Sequence, residues 1–144
     1  MQRNRTIRET GVRGETQKRY WLTPPEIYNQ LNAEFHFDFD PCPSSGDSIL
    51  AFDGLGTEWG KMSYVNPPFR RKDGSPTAWA KKAIEENKLG KGSVLLLPTQ
   101  SYVNLLIEAG AELRSMGRIR WLAVEDRQPT ASPNSITAFI LRPH

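Results

Sequence analysis

A chain of 144 residues, 38% of them hydrophobic, is long enough for one ordinary core and too short for two. The lone Cys42 excludes an internal disulfide, the distant His36 and His144 exclude a zinc spacing, and no apolar run approaches the roughly 20 residues of a membrane helix or forms a signal-peptide core. A cytoplasmic chain with no metal and no membrane partner is therefore expected, and its net charge of +3 is concentrated in Arg3, Arg5, Arg8, Arg13, Lys18 and Arg19, against which stand only Glu9 and Glu15.

Residues 1–20 are thus a basic arm with too few apolar side chains to offset their own ordering entropy. Such an arm is either a frayed tail or a phosphate-contacting segment that folds against nucleic acid. Residues 21–144 read as a single compact domain. "TPPEIYNQLNAEF" predicts a short amphipathic helix, with Thr23 as N-cap, prolines at its first positions and Ile27, Leu31 and Phe35 along one face. "FHFDFDP" alternates aromatic and polar residues like a strand and runs into the loop "PCPSSGDS". "KMSYVNPP" is a second strand, stopped by two prolines that bring no N–H to a ladder. "SPTAWAKKAIEENKLG" predicts a helix capped by Ser75 or Thr77, with Trp79, Ala83 and Ile84 on one face and Gly90 beyond its end. "GSVLLLP" has the unbroken apolar character of a strand covered on both faces. A helix from about Tyr102 to Arg114, a strand "RIRWLAV", a polar loop "EDRQPTASPNS" and a final strand "ITAFILR" complete the chain. This order predicts a three-layer α/β domain whose sheet is mostly parallel and ends in a C-terminal hairpin, with its site beyond the carboxyl ends of the strands.

Two loops leave strand carboxyl ends and so fall on one edge of such a sheet. The first, "DPCPSSG", begins with Asp40 and runs through small residues to Gly46, allowing close backbone approach to a small molecule. Asp40 or Asp38 can bond a ribose or an amino group of a ligand, or else satisfy local turn N–H groups. The second, "NPPF", suits a planar aromatic amine. The Asn66 side-chain oxygen and the Pro67 carbonyl can each accept one amine hydrogen, which turns the nitrogen lone pair out of the ring plane toward a methyl donor. Phe69 supplies a stacking face, worth about 1–3 kcal/mol for a nucleobase. The alternative is a tight proline turn whose Phe69 plugs the core. Arg70, Arg71 and Lys72 follow at once, either as contacts to flanking phosphates or as a solvated charge run.

Asn-Pro-Pro-Phe resembles the signature of amino-group methyltransferases that use S-adenosylmethionine, and the order of motifs resembles the phage-type DNA N-6-adenine-methyltransferase (Dam-like) family. "YWLTPPEIYNQLNAEF", "FDFDPC", "FDGLGTEW" with "YVNPPF", and "SPNSITAFIL" carry the resemblance, which spans nearly all of the chain after the arm. It implies a Rossmann-like methyltransferase sheet, S-adenosylmethionine as cofactor, DNA as partner and a phage or prophage product acting in a bacterial cytoplasm. It also implies that Asn66, Pro67, Pro68 and Phe69 hold the target adenine, and that Trp21, Thr23, Pro24, Asp40, Pro41 and Asp53 surround the cofactor. Ser44 stands where many members of the wider superfamily carry a glycine, and Phe69 replaces a commoner tyrosine, keeping the stacking face. In duplex DNA the adenine must be swung out of the stack to reach such a site. Direct transfer needs no nucleophilic side chain, which disfavours Cys42 as the attacking thiol of a cytosine carbon-5 enzyme. Cytosine N4, RNA amino groups and protein glutamine remain alternative acceptors, and a non-catalytic DNA- or cofactor-binding relic is a further alternative.

Overall fold

The computed structural model describes residues 21–42, 54–67, 76–98, 102–123, 129–131 and 135–144. The basic arm, Pro68 to Lys72 and Asp53 lie outside the described residues. Helix α1 (Pro25–Phe35) follows the short strand β1 (Trp21–Leu22), and it buries Leu31 with Ile27 and Phe35 packed beside it. Strand β2 (Met62–Val65), helix α2 (Pro76–Lys88) and strand β3 (Gly92–Pro98) come next. Helix α3 (Tyr102–Glu108) is followed by β4 (Glu112–Gly117), β5 (Arg120–Ala123), β6 (Pro129–Ala131) and β7 (Ile136–Leu141).

The main sheet has the order β2-β3-β7-β4, and a smaller one has the order β1-β5-β6. Strand β3 is buried along its whole length because its side chains serve two cores in alternation. Leu95 and Leu97 join Val65, Phe139 and Leu141 beneath Trp79, Ala80 and Ala83 of α2 and Leu106 of α3. Val94 and Leu96 join Tyr64, Ile136, Ala138 and Ile140 against Leu31 of α1 and Trp121 of β5. Both faces of the main sheet are therefore covered, which is why "VLLLP" shows no polar alternation.

The domain is α/β with a mixed sheet, and several expectations need correction. The sheet is not mostly parallel in its pairing: β2 and β3 are parallel, but β7 pairs antiparallel with both β3 and β4. The expected C-terminal hairpin of "RIRWLAV" and "ITAFILR" does not form. β5 instead pairs with β1 and β6, while β7, apolar on both faces, inserts between β3 and β4 as a central strand. Strand β4 replaces the last part of the expected helix through Arg114. Gly110, at φ +92°, lets the chain turn back so that the Ala111 N–H reaches the Leu106 carbonyl and closes α3 early. "FHFDFDP" contributes one parallel bridge, Phe39 with Ser63, rather than a full strand.

Thr23 is not the cap of α1. Pro24 holds that position, and its carbonyl receives the Ile27 and Tyr28 N–H groups. α2 begins at Pro76, so Thr77 lies inside its first turn. The α1 side of the edge strand β4 is tied by Arg114, which donates to both Glu34 oxygens at 2.7 and 3.1 Å and lies 5.7 Å from the Phe35 ring centre.

Candidate functional site at the carboxyl ends of the parallel strands

The parallel bridge of Phe39 with Ser63 sets where the two loops emerge. The Asp38 N–H donates to the Met62 carbonyl and the Tyr64 N–H to the Phe39 carbonyl, so Asp40–Pro41–Cys42 and Asn66–Pro67 leave neighbouring parallel segments at the same edge. Asp38 and Asp40, equivalent by composition, separate here. The Asp38 carboxylate accepts the Lys61 and Met62 N–H groups at 3.1 and 2.9 Å, fixing the start of β2. Among the described residues the Asp40 carboxylate accepts the Cys42 N–H, at 2.8 Å, and takes part in no ion pair. Burial raises its pKa from 3.8 to about 6, and the Cys42 N–H lowers it only in part.

Asp40 sits in a neighbourhood of neutral hydroxyl and thiol groups. Burial, and then the Asp40 charge, push the Cys42 thiol well up, which keeps it protonated and a poor nucleophile. The same two causes raise the Tyr28 phenol. Tyr64, buried on β2, is raised mainly by burial, with Thr23, Asp40 and Tyr28 all acting on it, and its hydroxyl is hydrogen-bonded to the Thr23 hydroxyl. Thr23, Tyr28, Asp40, Cys42 and Tyr64 thus form one polar group at the edge, drawn from the segment before α1, from α1, from the first loop and from β2. Of the residues expected around a cofactor, Thr23 and Asp40 are linked through Tyr64, whose hydroxyl bonds the first and whose phenol is acted on by the charge of the second. Pro24 and Pro41 are buried beside them in sequence, and Trp21 is described through its strand pairing with Ala123.

Asn66 is half-buried and Pro67 is buried just past the end of β2. The following residues, Pro68, Phe69, Arg70, Arg71 and Lys72, and the acidic Asp53, lie outside the described residues. The residue after Asp53 shows how the "DGLGTEW" segment meets the first loop. A Cβ at Gly54 would fall on the Pro41 carbonyl oxygen and come within 2.9 Å of the Trp79 ring, so only glycine allows this approach. In the sequence Gly54 stands out only as part of the motif "FDGLGTEW", and its contact with Pro41 was not legible because that partner is distant in sequence.

Sequence reasoning also missed the partner of Thr23. A threonine before two prolines signals a helix cap, whereas here its hydroxyl is spent on Tyr64, 41 residues away. No group of three or more His, Cys, Asp or Glu able to hold a metal ion occurs among the described residues, and no helix there is long and apolar enough to cross a membrane. Comparison with known proteins finds no matching family model, no matching curated protein and no matching solved structure.

Proposed function

We propose that this chain transfers a methyl group from S-adenosylmethionine to the exocyclic N6 amino group of adenine in DNA, on a Rossmann-like sheet edge. The observation that carries the reading is a largely desolvated carboxylate, Asp40, that lacks a cation among the described residues and shares its strand edge with Asn66 and Pro67. A desolvated carboxylate with one N–H donor costs folding free energy, and a ligand bearing an ammonium group or hydroxyl hydrogens removes that cost by pairing with it. The donor set fits the cofactor: Asp40 offers acceptors for its ammonium or ribose hydroxyls, and Thr23 offers a hydroxyl that both donates and accepts.

When bound, the cofactor would supply an electrophilic sulfonium methyl group: the amine lone pair would form the new N–C bond, and the C–S bonding electrons would stay on sulfur as a thioether. The protein's part is positioning. The Asn66 amide oxygen and the Pro67 carbonyl each accept one hydrogen of the adenine amine and turn its lone pair toward the methyl carbon. Phe69 stacks on the base, and the surplus amine proton passes to water. Arg70, Arg71 and Lys72 contact the phosphates that flank the extruded base. The basic arm adds non-specific affinity that falls with salt.

The test is to incubate the full chain with methyl-labelled S-adenosylmethionine and DNA, RNA or protein, digest the product and separate the nucleosides and amino acids. Label in N6-methyladenine from DNA is the expected result. Label in 4-methylcytosine, RNA or glutamine would replace the acceptor, and binding of the cofactor without transfer would leave a relic.

A further inference from the structure

Thr23 forgoes the local bond its position offers. Pro24 caps α1 with no side-chain hydrogen bond, and the Thr23 hydroxyl instead meets the phenol of Tyr64. That phenol is held firmly. Tyr64 is only 5% exposed, Tyr28 meets its ring edge-on at 4.9 Å, and Phe37 packs on it at 5.3 Å. Tyr64 lies two residues before Asn66 on β2, and its backbone N–H is fixed by the Phe39 carbonyl next to Asp40. One residue thus touches the segment before α1, the loop carrying Asp40 and the strand that leads to the acceptor turn.

Either hydroxyl of the pair can be the donor, and the arrangement in which the phenol donates is the one that connects this junction to a ligand. Burial and the nearby Asp40 charge keep the Tyr64 phenol protonated at neutral pH, so it has a hydrogen to donate. A phenol donating to the Thr23 oxygen leaves the Thr23 hydrogen to be donated onward, to a ligand at the same edge. We infer that Tyr64 is a positioning residue for the cofactor: through Thr23 it aims a hydroxyl donor at the ligand held by Asp40, and it sets the Thr-Pro-Pro segment against the strand bearing Asn66. The inference rests on the methyltransferase reading and adds to it a residue that touches neither substrate.

The experiment compares wild type with Tyr64→Phe, Thr23→Val, Thr23→Ser and the Tyr64→Phe/Thr23→Val double variant. Cofactor affinity is read by calorimetry, kcat and KM by methyl transfer to DNA, and folding by thermal melting. Tyr64→Phe and Thr23→Val are each expected to weaken cofactor binding about five- to tenfold, as for loss of one oriented hydrogen bond, with kcat at saturating cofactor within about twofold of wild type. The double variant is expected to bind no more weakly than the worse single variant, and Thr23→Ser to bind like wild type. A purely structural role would instead lower melting temperature without this split between KM and kcat. An active wild type with unaltered cofactor binding in Tyr64→Phe, or additive losses in the double variant, would overturn the inference alone. A wild-type chain that neither binds the cofactor nor transfers methyl would overturn both it and the reading beneath it.

Discussion

Two buried or largely buried carboxylates stand at opposite ends of the same parallel strands, and they are treated differently. Glu86, on α2 near the start of β2 and β3, is 5% exposed and surrounded by donors. It accepts the Trp59 N–H at 3.0 Å and the ammonium groups of Lys82 at 3.1 Å and Lys91 at 3.3 Å. Burial alone would push its carboxyl up, but these donors outweigh burial and hold it below the usual glutamate range. Lys91 also donates to the Trp59 carbonyl at 3.0 Å, so the helix end, the approach to β2 and the approach to β3 are joined in one knot. Asp40, at the carboxyl ends, accepts the Cys42 N–H, has no cation among the described residues and rises to about 6. The difference separates a carboxylate compensated by three donors from one that no cation among the described residues offsets. Such uncompensated groups are where binding and chemistry concentrate.

Substitutions should divide along the same line, with activity moving at one end and stability at the other. The largest effect expected is on activity: Asn66→Ala should lower kcat for methyl transfer about 10²- to 10³-fold, as for loss of one transition-state hydrogen bond, while the melting temperature stays close to wild type. Equal turnover would remove Asn66 from the chemistry. At the other end, Glu86→Ala should cost about 2–4 kcal/mol in urea unfolding, because it strands the buried Trp59 N–H and parts two lysines from their carboxylate. Cofactor affinity of the folded variant should be unchanged.

The pH dependence should have opposite sign at the two sites. Glu86 is lowered by folding, so its contribution is present above the ordinary glutamate value of 4.5 and is lost as pH falls through its lower folded value. Asp40 is raised from 3.8 to about 6, so its ionisation cost is absent well below 3.8, grows between the two values and is complete above about 6. Asp40→Asn is therefore expected to stabilise the unliganded chain by about 1–3 kcal/mol at pH 8 and by less than about 1 kcal/mol at pH 4, in denaturant titrations at the two values. No gain at pH 8 would mean that Asp40 is already compensated. The smallest effect lies away from both sites. His36 ends α1 at φ +54°, a conformation glycine adopts without penalty, and His36→Gly should raise stability by up to about 1 kcal/mol in thermal melts without changing activity.

Local patterns carried much of this arrangement. The spacing of Ile27, Leu31 and Phe35 gave α1, the apolar run from Val94 gave β3, and the prolines after Asn66 marked the end of β2. The shared edge of Asp40 and Asn66 followed from both loops leaving strand ends, and the Phe39–Ser63 bridge brings them there. What could not be read was decided by distant partners. Strand β7 is sandwiched between β3 and β4 because both of its faces are apolar, a property that fits an outer hairpin strand poorly but names no neighbours. β4 is an exposed edge without clean alternation, and its only local herald was Gly110. Thr23 had the pattern of a cap and the partner of a tether. Asp38 and Asp40 looked alike until the N–H groups of Lys61 and Met62 claimed the first.

The most direct measurement is calorimetric titration of S-adenosylmethionine into the wild-type chain and Asp40→Asn at pH 5 and pH 7. If Asp40 is kept ionisable for this ligand, wild-type affinity should be about tenfold weaker at pH 5, where only about a tenth of a carboxyl group titrating near 6 is charged. Asp40→Asn should bind at least about tenfold more weakly than wild type at pH 7 and show no such pH dependence. Tight binding by Asp40→Asn, or a wild-type affinity that does not change between the two pH values, would contradict the account.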